Sequence, residues 1–291
     1  MRRSRFALLA VVAALTGLLT VAPAAASPAG GYGDWSCRPS AAHPHPVVLV
    51  HGTGDNKDYT WQTLGPLLAK RGYCAFALTY GVLPTAPIVS DVIGGLTPIE
   101  DSAVEVRSFV EKVVTTTGVS KVDIVGFSQG TLVPAYYAKF LGGRMRIHTY
   151  VGLAPVWQGT DPLGIGDVFA LVRWLGLGQI PAIGDCGACP QVLTGSAFLA
   201  KLNKGGAFLP GIAYTNIATR YDLNIVPYTN GFGTGPNVRN IVLQDGCRKD
   251  RVNHMGIVFD PNAAGHVLNA LDPAHAKRVP CTPMGPMAPR R

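Results

Sequence analysis

The sequence predicts an α/β protein with a doubly wound, mainly parallel sheet, and three observations carry that expectation. Short β-branched apolar runs alternate with longer stretches whose apolar residues recur at helical spacing, as in successive strand–helix–strand units. One such run, Val122 to Phe127, ends abruptly in Ser128-Gln129-Gly130 and is followed by an apolar helical stretch. Finally, 291 residues without an internal repeat suffice for one large domain with a full core.

Taken in order, the chain begins with Arg2, Arg3 and Arg5, an apolar stretch from Phe6 to Val21, and Ala24-Ala25-Ala26. Positive residues, an apolar segment and small residues in that order predict a secretory signal peptide over residues 1–26, cut after Ala26. The apolar stretch is short for a membrane span and no stop-transfer charges follow, so a retained anchor is the weaker reading. Without those three arginines the formal charge falls from +8 to +5. No basic run with interleaved aromatics exists, so nucleic acid is not expected as a partner. A mildly basic face is compatible with transient contact at an anionic or lipid surface.

Pro46 to His51 reads as the first strand, running into Gly52-Thr53-Gly54. Asp58 to Lys70 reads as a helix, with Trp61, Leu64, Leu67 and Leu68 on one face, and Cys74 to Tyr80 as the next strand. After a Gly/Pro-rich loop, Thr97-Pro98-Ile99-Glu100 has the form of a capping box. Ile99, Ala103, Val106, Val110 and Val113 then mark a helical face that Gly118 ends. Downstream, Ile147–Leu153, Ile212–Ala218 and Val238–Leu243 read as strands, and Asp260-Pro261 opens a last helix through Leu271. The Gly-, Leu- and Pro-rich region 157–211 breaks the alternation and is expected to be an insertion over the carboxyl edge of the sheet. Within it, the apolar run Asp167–Leu175, flanked by glycines, is expected to line or cover a pocket. The Pro-rich tail, 282–291, is expected to be disordered.

The chemistry centres on Ser128. A serine with glycine two positions to either side, between a buried strand and a helix, is a nucleophile elbow. A weakly acidic hydroxyl needs a base to act at neutral pH, and the base needs an acid to orient it. In sheets carrying such an elbow, those partners follow the serine in chain order as acid and then histidine, each beyond a strand's carboxyl end. Asp222 after the strand ending at Ala218, and His254 between the last strand and the last helix, fit both placements. Asp245 comes too late for the acid, and Asp161 falls inside the insertion. An oxyanion would be met by the backbone N–H of Gln129 and by Thr53 in the loop after the first strand. His51 beside that loop, His266 in the last helix, and His43, His45, His148 and His275 read as structural or surface residues. Their spacing predicts no metal site.

Six cysteines, all beyond residue 26, suggest three disulfides in an exported chain. Cys186-Gly187-Ala188-Cys189 sits in a Gly/Pro-rich loop without a second ligand pair nearby, which favours a local disulfide over a redox or zinc motif. Cys37 precedes the first strand and Cys74 opens the second, so these two can pair across the sheet edge; Cys247 and Cys281 remain.

Together, His51-Gly52-Thr53-Gly54, Phe127-Ser128-Gln129-Gly130, Tyr221-Asp222 with Val226-Pro227, and Asn253-His254-Met255-Gly256 resemble the secreted α/β-hydrolase lipases, notably the bacterial class-2 lipases and fungal lipase B. Ala154 to Thr160 also looks like the segment after the elbow helix and its next strand in that group. The resemblance implies an α/β-hydrolase catalytic domain over 27–281, from whose family pattern the cap or lid insertion read over 157–211 departs at Asp161 to Pro190. It implies a serine ester hydrolase acting on acyl esters or lipids as a secreted monomer without a cofactor. Ser128, Asp222 and His254 would form the triad, Thr53 and Gln129 the oxyanion hole, and Cys247 would pair with Cys281. Depolymerisation of a polyester such as cutin, or acyl transfer, would use the same triad, because pocket shape rather than triad chemistry chooses the substrate. A catalytically inactive exported binding protein is a different class, and the intact Ser, Asp and His argue against it.

Overall fold

The computed structural model describes residues 31–83, 93–161 and 186–286. Residues 1–26 and the apolar run Asp167–Leu175 lie outside the described residues.

Six strands form one sheet: β1 Val47–Val50, β2 Ala75–Leu78, β3 Val122–Phe127, β4 Ile147–Leu153, β5 Ala213–Ala218 and β6 Val238–Val242. Their order is β2-β1-β3-β4-β5-β6, and every neighbouring pair is parallel. The helices that matter here are α1 Lys57–Thr60, α2 Leu64–Lys70, α3 Ile99–Thr117, α4 Val133–Phe140, α5 Ala197–Asn203, α6 Leu243–Gly246 and α7 Pro261–Leu271.

The chain steps outward from β1 to β2, then crosses back over β1 to β3 and proceeds the other way. Crossovers of one hand can do this only by placing their helices on opposite faces. The core divides accordingly. Val48, Val50 and Ile124 pack with Val106, Val110 and Val113 of α3 and Ala135 of α4. Val47, Leu49 and Val125 pack with Leu64 and Leu68 of α2 and Val267 and Leu271 of α7. Alternate residues of β1 therefore feed two different cores, as the period of two in a strand demands. The reversal makes the carboxyl ends of β1 and β3 the switch point at which parallel α/β sheets bind ligands.

Three local expectations need correction. The helix read over Asp58–Lys70 is two helices, α1 and α2. Pro66 explains the break: in a continuous helix its ring would meet the carbonyl four residues back and it has no N–H to donate, whereas the first turn of a new helix tolerates it. The capping box at Thr97 and Glu100 is not formed; the start of α3 has no side-chain cap of its own. Gln191 serves instead, accepting from the Ile99 amide at 2.6 Å and donating to Glu100 Oε2 at 2.6 Å. Thr97 turns to Ser102 at 3.0 Å. The third correction concerns the region 157–211. Its described end contains α5, whose Phe198, Leu199 and Leu202 are buried in the same core as α3 and α4. This part is the β4–β5 crossover and not a cover. Lys139 of α4 fixes it, donating to the carbonyls of Leu202, Lys204 and Gly206 at 2.6, 2.7 and 2.8 Å, where a cation suits the end of a helix.

Disulfides join Cys37 to Cys74, Cys186 to Cys189 and Cys247 to Cys281. The tail differs from expectation up to Pro286. The Thr282 amide donates to Asn262 Oδ1, and the Met284 and Pro286 carbonyls accept from Arg251 and Asn253, all at 2.9 Å. Proline lacks a donor but keeps its carbonyl, so a Pro-rich strip can still lend acceptors to a loop edge. Among the described residues no helix is long and apolar enough to cross a membrane.

Candidate active site

At the end of β3 the backbone changes from extended at Phe127 to φ 53° at Ser128, then enters a 3-10 turn over Ser128–Thr131 that leads into α4. Positive φ at a non-glycine residue stores strain and persists only where its surroundings impose it. The flanking glycines show what imposes it. A Cβ on Gly126 would overlap the Gly130 carbonyl, and one on Gly130 would overlap the carbonyls of Val50 and His51. The turn is this tight because β3 and the start of the elbow pack directly on the end of β1.

The three residues drawn from distant parts of the sequence meet here. Ser128 Oγ lies 3.0 Å from His254 Nε2, and His254 Nδ1 lies 2.8 Å from Asp222 Oδ2. An ionised carboxylate can only accept, so Nδ1 carries the proton and Nε2 is left to accept from the Ser128 hydroxyl. The other oxygen of Asp222 accepts from the amides of Asn224 and Ile225 at 2.9 and 2.7 Å, which holds the carboxylate in place. The Asp222 and His254 side chains are buried, and the Phe127 ring packs 4.9 Å from the imidazole, centroid to centroid. Thr160 secures the acid turn from the far side: its hydroxyl donates to the Asn224 carbonyl at 2.5 Å and accepts from the Val226 amide at 3.0 Å.

Thr53 and Gln129 are also brought together. The Thr53 hydroxyl donates to Gln129 Oε1, and Gln129 Nε2 donates to the Gly95 carbonyl at 3.1 Å. Gln129 is fully buried and Thr53 is exposed. Gly52 packs so closely on the elbow that a Cβ there would sit 3.2 Å from Ser128 Cβ. Behind this loop lies a pair that the sequence reading passed over, Gly94-Gly95. Gly54 donates to the Gly94 carbonyl at 2.9 Å and Gly94 donates to the Asp55 carbonyl at 2.8 Å. A Cβ on Gly95 would press to 2.7 Å from the Gly52 carbonyl. The Gly-Gly dipeptide was the available signal.

The remaining histidines have other duties. His51 is fully buried, stacks on Tyr80 at 4.4 Å, holds the Gly52 carbonyl through Nδ1 at 2.7 Å and accepts from the Tyr80 amide at 3.3 Å. Burial pushes its pKa down to about 4, so it is a neutral structural support at neutral pH. His148 pairs with Asp123 at 3.0 Å and packs on His45, while exposed His275 pairs with Asp272 at 2.9 Å. His266 in α7 has its pKa lowered by burial and by Arg239. Asp245, the alternative acid, makes a surface pair with Arg220 at 2.6 Å. Among the described residues no group of three or more His, Cys, Asp or Glu side chains is placed to hold a metal ion.

No curated protein matches the chain in sequence. Among solved structures, Aspergillus fumigatus lipase B is similar with a TM-score of 0.62 at 18% identity, over 84% of this chain and 56% of that one. The mature form of the Bacillus licheniformis lipase BlEst2 is similar with a TM-score of 0.51 at 17% identity, over 72% of this chain and 87% of that one. A carboxylesterase of Nitrososphaera gargenis is similar with a TM-score of 0.51 at 15% identity, over 81% of this chain and 90% of that one. At such identities these likenesses speak for a shared α/β-hydrolase fold. This chain spans little more than half the length of the fungal lipase. The family model of the class 2 lipases matches residues 44–265, from just before β1 into α7, and so takes in the elbow and both partner loops. By that match the chain belongs to the class 2 lipase family.

Proposed function

We propose that this protein is a secreted serine ester hydrolase that cleaves acyl esters, triacylglycerols among them, through an acyl-enzyme on Ser128. The observation that carries the reading is the unbroken hydrogen-bonded line from Asp222 through His254 to Ser128, at 2.8 and 3.0 Å. In this mechanism Ser128 Oγ attacks the ester carbonyl carbon as its proton passes to His254 Nε2. Asp222 stays ionised and holds the imidazole in the useful tautomer. The Thr53 hydroxyl is engaged by Gln129, so the backbone N–H groups of Thr53 and Gln129 are the donors assigned to the developing oxyanion. Collapse of the tetrahedral intermediate expels the alcohol, which takes the proton from His254. Water, activated by the same imidazole, then attacks the acyl-enzyme and releases the acid.

Secretion is supported by the three disulfides and by the leader over residues 1–26. Transient contact with a lipid interface is supported by Tyr221, Leu223 and Val226, large apolar residues that remain exposed around the Asp222 turn. The test is Ser128→Ala, measured on p-nitrophenyl esters of graded acyl length alongside a fluorophosphonate label. The wild type should hydrolyse esters and take the label on Ser128, and the variant should fold normally yet lose activity by on the order of a thousandfold or more. A variant as active as the wild type would overturn the assignment.

A further inference from the structure

Asp222 and His254 lie on separate loops beyond the ends of β5 and β6, where the strand ladder no longer holds the chain together. A ring of buried hydrogen bonds outside the triad replaces it. Thr219, three residues before Asp222, is fully buried. Its hydroxyl donates to the Val252 carbonyl at 2.6 Å and accepts from Gln244 Nε2 at 3.0 Å and from the Tyr221 amide at 3.2 Å. Gln244, in α6, also donates to the Asp250 carbonyl at 3.2 Å and accepts from the Arg220 amide at 2.9 Å. The Asp250 carboxylate closes the ring, accepting from the Val252 amide at 3.0 Å and from Asn262 Nδ2 of α7 at 2.9 Å. The carbonyl of Val252, two residues before His254, is thereby fixed to the acid loop, and its amide is held by Asp250 within the base loop. A single bridge between Tyr221 and Asn253 continues the alignment toward the two side chains.

We propose that Thr219 and Gln244 are positioning residues for ester hydrolysis, setting the acid loop and the base loop in one register so that His254 Nε2 stays on Ser128 Oγ. The inference rests on the hydrolase reading above. Replacing the Thr219 hydroxyl by a methyl group strands the Val252 carbonyl and one Gln244 donor in a buried setting, and leaves the Tyr221 amide without its partner. The arms must then shift to find other partners. The triad tolerates such shifts poorly, because a displacement near 1 Å can cost on the order of a hundredfold in rate.

The experiment compares Thr219→Val with Thr219→Ser in the full-length protein, using p-nitrophenyl butyrate turnover, the rate of fluorophosphonate labelling and the thermal midpoint. In Thr219→Val, kcat and the labelling rate should fall together by about ten- to a hundredfold while KM stays within about twofold. Thr219→Ser, which restores the hydroxyl, should return both rates to within about threefold of wild type. A merely structural role would lower the melting temperature and leave kcat unchanged well below it. A folded Thr219→Val with wild-type kcat would therefore overturn the proposal. Should that variant not fold, Gln244→Met, similar in shape but without any of the three polar contacts of Gln244, is read by the same criteria. Wild-type protein without turnover would defeat the hydrolase reading and this inference with it. An active wild type alongside an unimpaired, folded ring variant would defeat the inference alone.

Discussion

The two halves of the proposed active site are built in opposite ways. The nucleophile is placed by a handful of adjacent residues: Ser128 is held at φ 53° because Gly126 and Gly130 alone let β3, the elbow and the end of β1 approach so closely. The base is placed by residues scattered over the last third of the chain. His254 depends on Thr219, Gln244, Asp250 and Asn262, on the Cys247–Cys281 disulfide and on the strip Thr282–Pro286. A local device is limited by sterics and fails all at once. A distributed one is limited by the sum of many modest bonds and should fail by degrees.

The largest effect is expected on the local side. Gly130→Ala drives a Cβ into two backbone carbonyls that cannot move without shifting β1. The expected cost is about 3 kcal/mol or more, with loss of soluble or active protein. An alanine variant with a wild-type denaturation midpoint would break the claim that the elbow is sterically determined.

The base side has a titrating weak point of comparable size. Asp260 caps α7 through one oxygen, which accepts from the amides of Asn262 and Ala263 at 2.5 and 2.9 Å. Its other oxygen is buried without a hydrogen-bond partner among the described residues. Burial first, and Asp250 nearby as well, raise its pKa from 3.8 to about 7. The native state therefore holds a proton that the unfolded chain has already released in this range. The stability linked to this proton is fully present below about pH 4 and is lost as pH rises through about 7. Asp260→Asn keeps the capping oxygen and removes the titration. It should flatten this part of the profile and stabilise the protein above neutrality by on the order of 2–4 kcal/mol. Urea melts of both proteins across that range measure it, and parallel profiles would remove Asp260 from the account.

The same contrast explains what could be read in advance. The elbow, the strands and the last helix with its Asp260 cap are short-range patterns of apolar period and turn chemistry, and they stand where the sequence reading put them. The three positions proposed as a triad are picked out by chain order and strand ends, and the structure brings those residues together. What escaped the reading depends on distant partners. Gln191 caps α3 from 92 positions away, where no local pattern points to it, while Thr97 and Glu100 offer a plausible local box. The ring around Thr219 ties the end of β5 to α6 and to the His254 loop across 25 and 33 positions, beyond the reach of a local pattern. Pro66 is a legible signal for the break between α1 and α2, set against the continuous helical spacing of Trp61, Leu64 and Leu68.

The disulfide tests the distributed side at intermediate size. Joining Cys247 to Cys281, 34 residues apart, restricts the unfolded chain around the His254 loop and α7. Replacing both cysteines by alanine should cost about 3–4 kcal/mol by loop-closure entropy. It should spare the triad distances, because the ring still ties Val252 to the acid loop. Activity well below the melting transition should therefore fall only modestly, and a collapse of kcat in a folded variant would shift the positioning role from the ring to the disulfide.

The smallest effect belongs to the strip beyond Cys281. Met284 and Pro286 lend carbonyls to the amides of Arg251 and Asn253, the neighbours of Val252 on either side, each at 2.9 Å. Those amides would be met by water in a chain ending at Cys281, so each lost bond costs only the net value of a hydrogen bond, about 1 kcal/mol. The Thr282 amide, bonded to Asn262 Oδ1 at 2.9 Å, adds a third contact of the same kind. Truncation should therefore lower stability by about 1–3 kcal/mol and raise hydrogen exchange at Arg251 and Asn253 in particular. The Val252 amide, which donates inward to Asp250 rather than to the strip, should keep its protection. Equal loss of protection at all three amides would mean that the strip and the ring open as one unit, and the base loop would then be no more distributed than the elbow.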